Sequence, residues 1–172
     1  MDNAVLPFLI AQIAEDKIGL HESGGANKGS QIQEFFDADD YDPNGTKPGD
    51  DGYPWCAAFV DRIVQLAMRE SKRAFTFTRP LTPSAWGLEH WSRKQDHSTQ
   101  TRNEPGNDIA RGDIIIFKFS HCAIATSPPN ADGFFQTVEG NTNVKGEREG
   151  TIVMRKHSRN IESVKCRIRF TV

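Results

Sequence analysis

Three cysteines, Cys56, Cys122 and Cys166, are the strongest potential nucleophiles in this 172-residue chain. Cys56 follows Pro54-Trp55 and opens a stretch to Glu70 in which Ala57, Val60, Ile63, Val64 and Ala67 share one helical face, with Asp61, Arg62, Gln65 and Arg69 on the other. A thiol in a first helical turn meets unpaired backbone N–H groups and the positive end of the helix dipole, and both favour thiolate. A cysteine without such help is a small buried hydrophobe. His121, in Phe119-Ser120-His121-Cys122-Ala123-Ile124-Ala125, lies between two strand-like runs. Strand alternation sets it opposite Cys122, so that His121 faces a cleft if Cys122 faces the core. An isolated histidine is usually a satisfied surface or core residue, but paired with a helix-starting cysteine it is a candidate general base. Eighteen residues on, in Val138-Glu139-Gly140-Asn141, Glu139 and Asn141 are two apart and project from one face of an extended segment. Either could accept a hydrogen bond from the second ring nitrogen and fix the tautomer.

The elements that must position these groups fall into two halves. Val5, Leu6, Leu9, Ile13 and Ile18 predict an opening helix ending near Gly19, with Pro7 tolerated in its first turn. Ser30 is placed to cap a short helix, Gln33 to close its capping box, and Phe35 and Phe36 to bury its far end. A further helix opens at Thr82-Pro83, and Arg93 to Gly112 reads as mostly loop. From Asp113 onward the pattern becomes short β-branched and aromatic runs: 114–119, 122–126, 134–139, 151–155 and 164–171. Helices first and antiparallel strands afterwards predict an α+β fold, taken as one domain over residues 1–172.

Twenty-one Lys and Arg against twenty-three Asp and Glu give a formal charge of −2, which supplies no global field for nucleic acid or anionic lipid. The apolar run Val5 to Ala11 is far short of the ~20 residues that span a bilayer, and Asp2 precedes it in place of a basic residue. Neither a membrane span nor a conventional signal peptide is expected. Three dispersed cysteines argue against a disulfide framework, and without a Cys-x-x-Cys pair or a zinc-helix pattern around His21-Glu22 no zinc site is expected. The aspartates between Asp37 and Asp51 do not follow an EF-hand spacing and read as an acidic surface loop, with a calcium site as the alternative.

Pro54-Trp55-Cys56-Ala57-Ala58-Phe59-Val60, Arg111-Gly112-Asp113-Ile114 leading to His121, and Val138-Glu139-Gly140-Asn141 together resemble the CHAP family. These are cysteine- and histidine-dependent amidohydrolases/peptidases of the wider NlpC-type, papain-like superfamily. The resemblance runs from about Ile10 to the C-terminus and takes in Glu22 and Asn27. It implies a papain-like arrangement, N-terminal helices packed on a C-terminal antiparallel sheet. It also implies hydrolysis of peptidoglycan amide bonds, with Cys56 as nucleophile, His121 as base, Glu139 and Asn141 as orienting residues, and no metal or organic cofactor.

The substrate would be the peptidoglycan stem peptide or the glycan–peptide junction, cut by an endopeptidase or an amidase. The setting expected is a bacteriolytic phage lysin, or a secreted antibacterial effector whose producer makes a cognate inhibitor (immunity) protein. Such an enzyme is made in the cytoplasm and acts on the cell wall or periplasm, with no nucleic-acid or membrane partner. The alternative is a non-catalytic wall-binding or protein-interaction module that kept the fold. Where papain-like enzymes carry an oxyanion-binding Gln, six residues before Cys56 stands Asp50, which when ionised only accepts hydrogen bonds. The Cys56 N–H is the first candidate donor, with Tyr53 or Asn44 as a second. Tyr53 and Trp55 are candidate substrate contacts by adjacency, Trp86 and Trp91 are core or groove, Asp113 fixes a turn, and Arg155 to Arg159 is a solvated basic strand end.

Overall fold

The structure is a computed structural model and describes residues 5–38, 53–95, 100–103 and 108–172. Four helices, α1 (Val5–Asp16), α2 (Ser30–Phe36), α3 (Cys56–Ser71) and α4 (Ala85–Arg93), precede the strands. These are β1 (Gln100–Asn103), β2 (Ile114–Phe117), β3 (Cys122–Ala125), β4 (Phe134–Thr142), β5 (Ile152–Asn160) and β6 (Val164–Phe170). They form one antiparallel sheet in the order β1-β6-β2-β3-β4-β5. The expected α+β class, helices on an antiparallel sheet, is therefore the observed one.

Side-chain alternation divides the sheet's burial between two faces. Ile114, Ile116, Cys122, Ile124, Val138, Val153 and Ile168 pack with α1, α2 and α3 in the main core. Ile115, Phe117, Ala123, Ala125, Phe135 and Val164 form a second cluster on the opposite side with Ile109. Covering on both faces explains why the β2 run Ile-Ile-Ile-Phe has no polar residue in it. Ile63 of α3 is fully buried in the main core, and its truncation to Ala would cost about 2–5 kcal/mol.

Several local expectations are corrected. The N-cap of α2 is Gly29, at φ 129, with no side-chain cap; Ser30 is already inside the helix and Gln33 reaches forward to Asp37. A Cβ at Gly29 would stand 2.6 Å from Ser23 Oγ, so close approach rather than capping chemistry sets this turn. Helix α4 starts at Ala85 because Ser84 accepts the Gly87 N–H, two residues beyond the expected opening. The stretch 93–112 contains β1, an edge strand that only pairing with β6 defines. Asp61, assigned to a polar helical face, is fully buried and accepts the Thr82 N–H at 2.6 Å, because the segment before α4 folds over that side of α3.

Candidate active site

Helix α3 begins at Cys56, and Trp55, its N-cap at φ −115, supplies no side-chain cap. Intrahelical bonding starts with Phe59 N–H to the Trp55 carbonyl, so the first-turn N–H groups have no acceptor inside the helix. Two contacts fix this end against β4. The Trp55 N–H donates to Asn141 Oδ1 at 3.2 Å. A Cβ on Gly140 would stand 2.7 Å from Phe59 and 2.8 Å from the Trp55 ring, so only a glycine lets α3 lie this close to the strand.

His121 stands where the β2–β3 turn re-enters the sheet, after Ser120 at φ 60. It is fully buried, and its ring lies nearly parallel to Phe117 and Phe119 at centroid distances of 6.1 and 6.0 Å. The expected cleft-facing histidine is thus an enclosed one, with exposed Phe119 at its margin. Its Nε2 is 2.9 Å from Glu139 Oε2. Nδ1 is buried with no hydrogen-bond partner of regular geometry, and the Cys56 thiol is near enough to share the ring's titration. The ring therefore presents Nε2 to the carboxylate and leaves Nδ1 for a second partner, and the Cys56 thiol is the neighbour whose charge acts on the ring.

The charge states follow from these contacts. The Cys122 side chain is the largest influence drawing the Cys56 thiol well below its usual range; burial opposes it and His121 adds to it. Cys122 is pushed up by burial and by the neighbouring Cys56, so of the pair Cys56 is the one favoured as thiolate. Burial disfavours imidazolium, but the bonds to Cys56 and Glu139 outweigh it and raise His121 to about 9. Burial likewise pushes the Glu139 carboxyl up, and the bonds from Arg159 and His121 overcome this to hold it at about 2. These influences favour thiolate at Cys56, imidazolium at His121 and carboxylate at Glu139, groups buried at Glu139 and His121 and 5% exposed at Cys56.

The two candidate orienting residues part company. Glu139 takes the histidine, whereas Asn141 accepts from Trp55 and donates to Asn27 Oδ1 at 2.9 Å and the Gly150 carbonyl at 2.7 Å. The expectation that both project from one strand face fails because the β4–β5 register shifts between Glu139 and Thr142, with Asn141 in the left-handed region at φ 55. Such a bulge breaks the two-residue alternation.

Trp55, expected to touch substrate, is corrected to core. It is fully buried, stacked on Phe35 at 5.5 Å, and its indole N–H donates to Glu22 at 2.9 Å. Tyr53 remains half exposed just before it. Trp86 and Trp91 belong to α4, which packs on β1, β2 and β6. Asp113 does fix its turn, accepting from Ala110 N–H at 2.8 Å. Asn44, Asp50 and all but the first of the six loop aspartates lie outside the described residues. Among the described residues no group of three or more His, Cys, Asp or Glu could hold a metal, and no helix is long and apolar enough to cross a membrane.

Arg159 is the site neighbour that sequence reasoning missed. Its Nε and Nη2 donate to Glu139 at 2.7 and 2.6 Å. The basic stretch read as solvated is so only at exposed His157 and Ser158: Arg155 pairs with Glu15, and Lys156 donates to the carbonyls of Asn143 and Val144. The only signal available was the period-2 inward face of a strand, and β5 is too irregular for that signal to be read.

Neither a protein-family model nor a curated protein matches the sequence. Among solved structures, the fold is similar to the crystal structure of a wild type endolysin, LysIME-EF1, with a TM-score of 0.55 and 19% identity over 97% of this chain. The match takes in 64% of the endolysin's own length. At that identity the likeness establishes a shared fold, an α+β domain of the kind found in an endolysin.

Proposed function

We propose that the chain is the catalytic unit of a peptidoglycan amidohydrolase of the CHAP type, working through Cys56 and His121. The observation that carries this reading is His121 between the Glu139 carboxylate at 2.9 Å and the thiol that opens α3. The fold shared with an endolysin supports the substrate class. In this mechanism the Cys56 thiolate attacks the amide carbonyl, and the oxyanion meets the first-turn N–H groups of α3. His121, protonated in the resting pair, gives its proton to the leaving amine. It then activates a water that releases the acyl group, while Glu139 holds the ring's tautomer throughout. No step requires a metal or organic cofactor.

Both a released lysin and an effector delivered into a rival cell fit this chemistry; the second requires an inhibitor protein in the producer. The test is mass spectrometry of muropeptides from purified sacculi treated with the protein and with Cys56→Ala. New termini in the first digest alone support the reading and name the bond cut, either within the stem or cross-bridge peptide or between muramic acid and the stem. Unaltered sacculi in both would refute it and favour a binding module.

A further inference from the structure

The Glu139 carboxylate is fully buried yet has all its oxygen positions filled. Oε1 accepts from Thr137 Oγ1 at 2.6 Å and from Arg159 Nε at 2.7 Å; Oε2 accepts from Arg159 Nη2 at 2.6 Å and stands 2.9 Å from His121 Nε2. Arg159 thus grips both oxygens at once, which fixes the carboxylate plane and so the line of approach to the imidazole. The guanidinium is itself held in place. Nη2 also donates to the Gly146 carbonyl at 2.9 Å, and the group lies over Phe117 at 5.0 Å and Phe119 at 5.5 Å, the rings that enclose His121. Its side chain is 13% exposed, so this ion pair is shielded from water and salt.

We infer that Arg159 is a positioning residue that keeps Glu139 ionised and aimed at His121, and thereby maintains the ion pair at Cys56. Two effects of its charge compete. A cation beside Glu139 opposes the imidazolium two groups away, but a wholly buried carboxylate stripped of a bidentate partner gains a proton readily. The second wins, because protonating Glu139 removes the anion bonded to Nε2 of the ring. Among the described residues, the other charged groups facing this carboxylate are Lys156, whose ammonium is committed to two backbone carbonyls, and the Cys56–Cys122 pair beyond the imidazole.

The site's function rests on the preceding reading, so the experiment uses a signal that needs no substrate: the rate of Cys56 alkylation by iodoacetamide against pH, followed by peptide mass spectrometry. Arg159→Leu should move the acid limb of alkylation up by about one pH unit or more. The same substitution made in a Glu139→Gln background should move it little further, since the effect acts through Glu139. Folding is checked by near-ultraviolet circular dichroism, and if Arg159→Leu does not fold, Arg159→Gln is measured in the same way. An unmoved limb in a folded variant, or an equal shift with and without Glu139, would overturn the inference. A downward shift would overturn it too, by showing that Arg159 acts on the imidazolium through charge alone. Failure to cleave sacculi alongside the expected alkylation shifts would count against the proposed activity and leave the role of Arg159 standing.

Discussion

Glu15 and Glu139 are both carboxylates held at about 2 by arginine, and they do different things. Glu15, at the end of α1, is gripped by Arg111 at 3.0 and 2.5 Å and by Arg155 at 2.8 Å. It ties the first helix to the β5 strand and to the turn before β2, and every partner is a permanent cation. Glu139 has one arginine and one histidine, and the histidine's charge helps to lower the Cys56 thiol. A low carboxyl pKa therefore marks a structural clamp and a chemical site equally well. The partner that can titrate distinguishes them.

Cys56→Ala provides the largest break. Hydrolysis of sacculi should fall by a factor on the order of 10³ or more, because the nucleophile of a concerted set is lost, while Cys166→Ala, on β6, should match wild type. Comparable turnover by Cys56→Ala and wild type would end the thiol mechanism. Glu139→Gln comes next, with an expected loss of ~10-fold or more. Removing the anion leaves Arg159 facing the ring uncompensated, so His121 loses protons at lower pH and the basic limb of the pH–rate profile should move down from about 9. A basic limb that stays in place would separate Glu139 from the chemistry.

Asn141→Ala sharpens the division between orienting and anchoring. It leaves the Trp55 N–H and the Gly150 carbonyl without a buried partner, which should cost about 1–3 kcal/mol in urea denaturation. Turnover should fall less than in Glu139→Gln; the reverse order would return Asn141 to the histidine. Glu15→Gln is expected to be the smallest change, about 1 kcal/mol of stability with activity retained. Since the folded pKa of Glu15 is depressed from 4.5 to about 2, its contribution is present above 4.5 and lost as pH falls toward 2. The variant's stability should therefore vary less with pH across that window. An equal pH slope for the two proteins would show that the clamp contributes nothing.

Cys56 and His121, the proposed nucleophile and base, were legible in the sequence because their positions are local facts. Cys56 opens an amphipathic run after Pro-Trp, and His121 sits at a strand junction; periodicity and a three-motif resemblance suffice for both. The helices-then-strands order likewise follows from the change of hydrophobic period near Asp113. What alternation alone could not reveal was the bulge at Asn141, since a left-handed residue inside a strand depends on what α3 demands of β4. The burial of Trp55 also needed the packed molecule, because Phe35 and Glu22 come from segments 20 and 33 residues away. Arg159 was decided by tertiary structure for the same reason. Strand register brings β5 beside β4, and no local pattern in Arg155 to Arg159 says which cation turns inward to a buried carboxylate and which toward solvent.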